Sequence, residues 1–555
     1  MCKGDKTNQK TKTIKADLET PSSEPKELMT VFSQSKVPLQ RLICARSVSF
    51  DNDSDLVATA TRLSKDVEPT VREAIATRLG QLDYGADKIR PGKAVAILHT
   101  LARDARAEVR SAAAMSLALV PNANRVSSWL NLCHDQNPRY RSSGAECLGY
   151  TGLAAANVPH PTVVQFVFPE LIAMAREDLN FAVRKAACKA LGRLVQDCAA
   201  WPNASAIRKG AAEAVLNLAQ DSAWPVRRAV ADVVPLVCPS TLDVPLGSAL
   251  VSLSESDASN WVKLAAKRSL GLYLANSRSD APEVMTAYCN LAKSPEEEVR
   301  FACAYAFPAV VQASNSTAEG ERRWNASLRE VHSILCADVS PRIRCTLAHS
   351  LHMVAQSIGS TATARDLHSV FASFIQDMDD EEEIRLGAIR SAAGFLASLP
   401  ESRRREVFEL IETTRVDVST SPLASLAVSR DARFSLASQL VQFSAIQPPV
   451  PGLGRMFLAL AQDEAHHVRQ RALDSFGDIA PSLDSANDVM KEFEEMATSP
   501  HFWNRWAFAR GTRSILRNER AKKMFAESSQ LENKLRMLQN DPVLTVRTEA
   551  TAAAS

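Results

Sequence analysis

The residues best placed to bind a metal or move a proton are His349 with His352, three apart on one helix face, and the adjacent pair His466 and His467. A zinc centre needs three or four converging Cys, His or carboxylate ligands, and no Glu or Cys completes a set around His349 and His352 in the sequence. They read as a surface or groove pair, and His466 and His467 as residues of a turn. Gly452-Leu-Gly454 follows a proline-rich run but lacks the third glycine and the preceding strand of a dinucleotide loop, so it reads as a loop. There is no G-x-S-x-G, P-loop or H-E-x-x-H. Neither catalysis nor a bound cofactor or metal is expected. The eleven cysteines are unevenly spaced with no C-x-x-C pair, as scattered small apolar residues would be. Recognition chemistry remains. Phe502, Trp503 and Trp506, with His466 and His467 beside them, and Trp224 and Trp261 further back, are of the type that anchors protein contacts when exposed in turns. Each has an alternative place in the core between helices, and Trp506, among Ala507, Ala509 and Gly511, suits that place best.

The elements that must position these residues repeat along the chain. An Asp is followed after four residues by an aliphatic residue and then Arg at Asp66, Asp104, Asp178, Asp221, Asp338, Asp379, Asp463 and Asp541, with looser copies at Asp135, Asp257 and Ser294. Spacings from 66 to 379 run from 31 to 44 residues, and the next gaps of 84 and 78 each hold a further degenerate unit, near Arg433 to Leu440 and near Asn504 to Leu516. After Val226 come Ala229, Val230, Val233 and Val234, and after Val183 come Ala186, Ala187, Ala190, Leu191 and Leu194: the stripe of an amphipathic helix. Pro at 69, 138, 225, 295, 341 and 542 marks a helix start, where it costs no hydrogen bond, and the Asp can satisfy free N–H groups there. Upstream segments such as 169–176 and 367–375 carry their own stripe, so each unit is helix, turn, helix. Such forty-residue hairpins resemble HEAT repeats. The fold expected is all-α, a solenoid superhelix of about thirteen repeats with an unassigned start. The recurrent Asp and Arg predict a ladder between neighbouring turns, worth ~0.2–1 kcal/mol per pair if exposed. Domain reading places a disordered basic tail at 1–36, an N-terminal block at 37–275 and a C-terminal block at 276–555.

Charge and hydropathy narrow the function classes. Lys+Arg 65 against Asp+Glu 63 leaves +2, which gives no global field toward nucleic acid or an anionic membrane. No apolar run approaches the ~18 residues of a membrane span, and the first residues have no apolar core for a signal peptide. The compartment expected is cytoplasmic, with the nucleus as a second. The runs 379–383 (acidic) and 403–405 (basic) read as solvated turn and helix-start charges.

The turns DSAWPVRRAVADVVPLV (221–237) and DASNWVKLAAKRSLGLYLA (257–275) are joined by QRLICARSV (40–48), EPTVREA (68–74), FACAYAFPAVV (301–311) and DEEEIRLGAIRSAAGFLASLPESRRREVFELIE (380–412). Together they resemble the regulatory subunit 1 family of serine/threonine-protein phosphatase 4 and, more distantly, the scaffold (A) subunit of protein phosphatase 2A. The Cys-Ala-Tyr-Ala-Phe-Pro segment and the Ser-Arg-Arg-Arg-Glu helix discriminate best. The family's long acidic insertion is missing, since only residues 275–282 join the two blocks. The resemblance implies a non-catalytic regulatory or scaffold subunit holding a phosphatase catalytic subunit, phosphatase 4 favoured, through the turns Asp463 to Arg469, Pro500 to Trp506 and Asp541 to Arg547. The other readings of the repeat are a transport receptor, a cytoskeletal adaptor and an enzyme on HEAT-like repeats; the first is usually strongly acidic, the second needs a basic edge of turns, and the third a basic groove with a buried carboxylate.

Overall fold

The computed structural model describes residues 31–48, 53–82, 91–120, 125–151, 160–202, 204–238, 245–277, 282–315, 320–377, 382–416, 429–483, 486–525 and 530–554, together with residues 29 and 84. All regular structure among them is helical. Residues 31–33 are helical and Ser33 is buried, so ordered chain begins ahead of residue 37, while 1–28 of the expected tail lie outside the described residues. No helix among the described residues is long and apolar enough to cross a membrane.

The chain divides into two compact units, residues 1–233 and 234–555. The block boundary expected at 275/276 lies inside the second unit. Each unit is a succession of helical hairpins. In the first, Pro69–Gly80 packs on Ala107–Leu119, and Pro138–Gly149 on Phe181–Asp197. In the second, Pro341–Ile358 packs on Glu383–Ser398, and Phe502–Arg517 on Leu544–Ala554. These are the helices that the Asp string announces, and Arg430–Ser444 and Phe502–Arg517 fill the two gaps where it fades. The unassigned start is filled by Pro38–Ser47, whose Arg41 follows Ser35 by the same six residues.

The aliphatic residues Val71, Val109, Val183, Val226, Ile343, Val468 and Val546 of the strings are buried, because each opens the stripe that faces the neighbouring hairpin; Tyr140, in a looser copy, is half-buried. Pro69, Pro138 and Pro341 open their helices. The Asp acts differently from the expectation. It lies two residues ahead of the cap position, and its Oδ1 accepts from the N–H two residues on: Glu68 to Asp66 at 2.9 Å, Asn180 to Asp178 at 2.8 Å, Val543 to Asp541 at 2.8 Å. That closes the turn and leaves Oδ2 for the neighbouring hairpin.

The ladder is therefore built, and it is buried rather than exposed. Arg41 meets Asp66, Arg72 meets Asp104, Arg141 meets Asp178, Arg184 meets Asp221, Arg300 meets Asp338, Arg433 meets Asp463 and Arg505 meets Asp541, each with Nε 2.6 or 2.7 Å from Oδ2. Nη2 adds a second bond to Oδ1, at 2.8 Å in Arg184–Asp221. Side-chain exposure is only 13–20% for Arg and 4–10% for Asp across these pairs, so the weak surface-pair energy does not apply. Asp379 lies outside the described residues; among the described ones, Arg344 lies 3.6 Å from Asp377.

Candidate functional site

Arginines of the ladder also grip the turn that precedes them. Nη1 of Arg72 donates to the carbonyls of Asp66 and Val67 at 2.7 and 3.0 Å, and Nη1 of Arg184 to those of Asp178 and Leu179 at 2.9 and 3.2 Å. With its carbonyl held inward, the residue after the Asp turns its side chain to solvent. Leu179 is 97% exposed, and Val67 and Val339 are exposed likewise. Phe181, Trp224, Trp261, Phe502 and Leu544, at the helix starts, add further exposed apolar surface. Sequence reasoning found the tryptophans and Phe502 by type but missed Val67, Leu179, Phe181, Val339 and Leu544. For Val67, Leu179 and Val339 the signal was present: an apolar residue one place after a repeat Asp has no core to face.

The C-terminal turns of the second unit are the most elaborate. Phe502 and Trp503 open helix Phe502–Arg517 and are exposed; Trp503 stacks on His501 with centroids 4.5 Å apart and meets Phe502 edge-on at 5.5 Å. Trp506, one turn further, is half-buried, its ring 4.7 Å from that of His466. It is therefore neither a core residue nor a free one. His466 and His467 are the first residues of helix His466–Asp474 rather than turn residues; His466 is exposed, and His467 packs on Phe434 at 5.5 Å. Burial, then the charge of Arg469, holds His466 below the usual histidine range. Under these turns the buried rings of Phe457, Phe476, Phe493 and Phe508 form a column with centroid steps of 4.1, 4.8 and 5.2 Å, which fixes the helices that carry the exposed ones. Trp224, in the first unit, borders a groove with Lys185, Lys189, Arg228 and Asp232, and Trp261, in the second, is 61% exposed.

The expectation that no Cys or Glu joins His349 is overturned. Cys345 precedes His349 by one helical turn, and Glu383, at the start of the following helix, brings a carboxylate oxygen to them: Sγ, a ring nitrogen and that oxygen all lie within 4.8 Å of one another. Gly387 leaves room for the His349 ring, which a Cβ there would approach to 3.2 Å. The trio supplies three zinc-type ligands, and His352 is not among them. Arg403 pairs with Glu406 and Arg405 with Glu409 along a solvated helix face. Gly452, with φ +93°, starts helix Leu453–Ala461, and Gly454 lies inside that helix rather than in a loop.

Comparison with known proteins supports the family resemblance. Residues 303–414 match the protein phosphatase 4 regulatory subunit 1 middle domain, a span that begins at Cys-Ala-Tyr-Ala-Phe-Pro and includes the Ser-Arg-Arg-Arg-Glu helix, and residues 167–198 match a HEAT repeat. The chain is 28% identical over 241 residues to the serine/threonine-protein phosphatase 4 regulatory subunit 1 of Homo sapiens, covering 41% of this chain and 23% of that one. The Rattus norvegicus protein is 32% identical over 161 residues, 28% of this chain and 15% of that one. The matched part thus spans less than a quarter of these relatives. Among solved structures, importin beta crystallised from ammonium sulfate has a TM-score of 0.58 at 12% identity, covering 96% of this chain and 74% of that one. Kap95p with RanGDP gives 0.51 at 12% identity, covering 94% and 74%. These likenesses show the helical solenoid fold. The chain is a HEAT-repeat protein related to the phosphatase 4 regulatory subunit 1 family.

Proposed function

We propose that the chain is a non-catalytic regulatory or scaffold subunit that binds the catalytic subunit of a PP2A-type serine/threonine phosphatase, phosphatase 4 favoured over phosphatase 2A, and steers its choice of substrate. The match of residues 303–414 to the middle domain carries the reading. The turns of the second unit supply the surface: Phe502 and Trp503 stand exposed on a rigid aromatic column, the pattern in which a few large side chains dominate an interface. His466, His467 and Trp506 flank them, and Trp224 and Trp261 would serve the same or a second partner. Work in the cytoplasm, and secondarily the nucleus, fits such a role.

The test is capture of purified phosphatase 4 and phosphatase 2A catalytic subunits on the immobilised chain, followed by affinity measurement. Replacing Phe502 and Trp503 together by Ala should weaken binding by about 30-fold or more, while far-UV circular dichroism stays unchanged because both residues are exposed. Retention of neither catalytic subunit sinks the reading; unchanged affinity of the double variant moves the interface off this turn.

A further inference from the structure

At Arg469 a rung of the ladder lacks its carboxylate, and its two halves are both chemically marked. Arg469 has the pose of the paired arginines: Nη1 donates to the carbonyls of Asp463 and Glu464 at 2.5 and 2.9 Å, as Nη1 of Arg505 does to those of Ser499 and Pro500 at 2.8 and 3.1 Å. In Arg505, one hairpin on, this pose sends Nε into the next Asp, and Nε of Arg433, one hairpin back, also reaches its Asp. The residue in the Asp position after Arg469 is Ser499. Nε of Arg469 is buried without a hydrogen-bond partner, and the side chain belongs to a residue only 9% exposed. Burial pulls its guanidinium below the ordinary arginine range, whereas the carboxylate of Asp541 pushes that of Arg505 above it.

Ser499 occupies the slot in the manner of the missing Asp. Its Oγ accepts from the N–H of His501 at 3.3 Å, the bond that Asp541 Oδ1 takes from Val543, and from Nδ2 of Asn504 at 3.1 Å. It is half-buried in extended backbone (φ −59°, ψ 140°), between exposed Thr498 and exposed Pro500. A serine followed by proline is a substrate for proline-directed protein kinases, and a phosphoryl group there meets an N–H at a helix start, an amide donor and a waiting arginine. Ser294 also stands in an Asp position before a proline, but the ladder position of the preceding hairpin holds Lys263 and three glutamates follow at 296–298. It lacks the buried guanidinium.

We propose that Ser499 is a phosphorylation site and that its phosphate takes the place of the repeat carboxylate, closing the rung with Arg469. In the transfer, Oγ bonds to the γ-phosphorus of ATP, the bond from that phosphorus to the bridging oxygen breaks, ADP leaves and the hydroxyl proton passes to the kinase's base. The product locks hairpin 453–474 to hairpin 486–517, a covalent control on the stiffness of the turns that carry Phe502 and Trp503.

The experiment treats the full chain with ATP and a proline-directed serine/threonine kinase, locates phosphate by tandem mass spectrometry, and compares amide hydrogen exchange across 499–517. Modification at Ser499, absent in S499A, should slow exchange there by about tenfold or more, one charge-assisted hydrogen bond's worth. S499D should reproduce the slowing, since it restores the residue the other turns use, and S499D in an R469M background should not. Where R469M itself loosens the flanking helices, the phosphorylated wild type against the unmodified chain decides. Failure of the kinase to modify Ser499 in the folded chain, or exchange as fast in the phosphorylated chain and S499D as in the unmodified protein, overturns the proposal.

Discussion

Asp221 accepts from Nε and Nη2 of Arg184 at 2.6 and 2.8 Å and from the N–H of Ala223 at 2.8 Å, so one carboxylate closes its own turn and ties it to the preceding hairpin. Removing its charge strands a largely buried guanidinium. Asp221→Asn should therefore cost about 3 kcal/mol of local stability, read as faster hydrogen exchange in 181–197 and 224–237; an unchanged exchange profile would show that the rung sets register alone. His332 is the opposite case, a buried group kept neutral. It lies against Phe307 and Trp324 with centroids at 5.3 and 6.0 Å, and burial, only partly opposed by Asp366, lowers it to about 4. Its folded value is below its unfolded one of ~6.5, so its contribution is complete above that pH and is lost as pH falls toward 4. Between pH 7 and 5 the wild type should lose about 2 kcal/mol at this site, and His332→Phe should remove that loss; equal pH dependence of the two in urea titrations would assign it elsewhere.

At the scale of elements, the hairpins meet through small residues that let neighbouring second helices approach. A Cβ on Gly149 would lie 2.7 Å from Cβ and 2.8 Å from Cα of Ala190, closer than packed carbon atoms tolerate, with backbone on the far side. Helices Pro138–Gly149 and Phe181–Asp197 would have to separate. Gly149→Ala should cost about 1–3 kcal/mol despite its gain in helix propensity, visible as a lowered thermal midpoint; a rise in the midpoint would mean that the joint yields without strain. Element boundaries were legible where Pro and Asp announce them, as at Pro69 and Pro341. They were not at Pro38–Ser47, where Ser35 and Gln40 replace the Asp and the aliphatic residue and only Pro38 and Arg41 keep the pattern.

For the whole molecule, 65 cations against 63 anions is near neutrality, and the repeat contributes to it one buried carboxylate for each ladder arginine. Burial alone would raise Asp66, Asp104, Asp178, Asp221 and Asp338, but hydrogen bonds from Arg and from the turn N–H outweigh it, and all lie below the usual carboxylate value; Asp541 is held down first by Arg505. Folded values below unfolded ones mean that this stability is present above about pH 4 and disappears as pH falls further. Circular dichroism at 222 nm should hold most of its amplitude to about pH 4 and then collapse over a broad range, because each hairpin is supported by its neighbours rather than by one shared core. A sharp collapse complete above pH 5 would place the acid sensitivity in the histidines instead.

The repeat, its helix starts, the family resemblance and the pairing of Asp with Arg were readable from the sequence alone, because each rests on residues close along the chain or recurring at a fixed interval. The aromatic candidates at 502 and 503 were readable by type. Their exposure was not, nor the half-burial of Trp506 against His466, nor the gathering of Cys345 and His349 with Glu383 across 38 residues. The burial of the ladder and the unpartnered Nε of Arg469 also belong to the tertiary structure alone. These depend on how far one hairpin is rotated and shifted against the next, which packing between helices decides and no local pattern records.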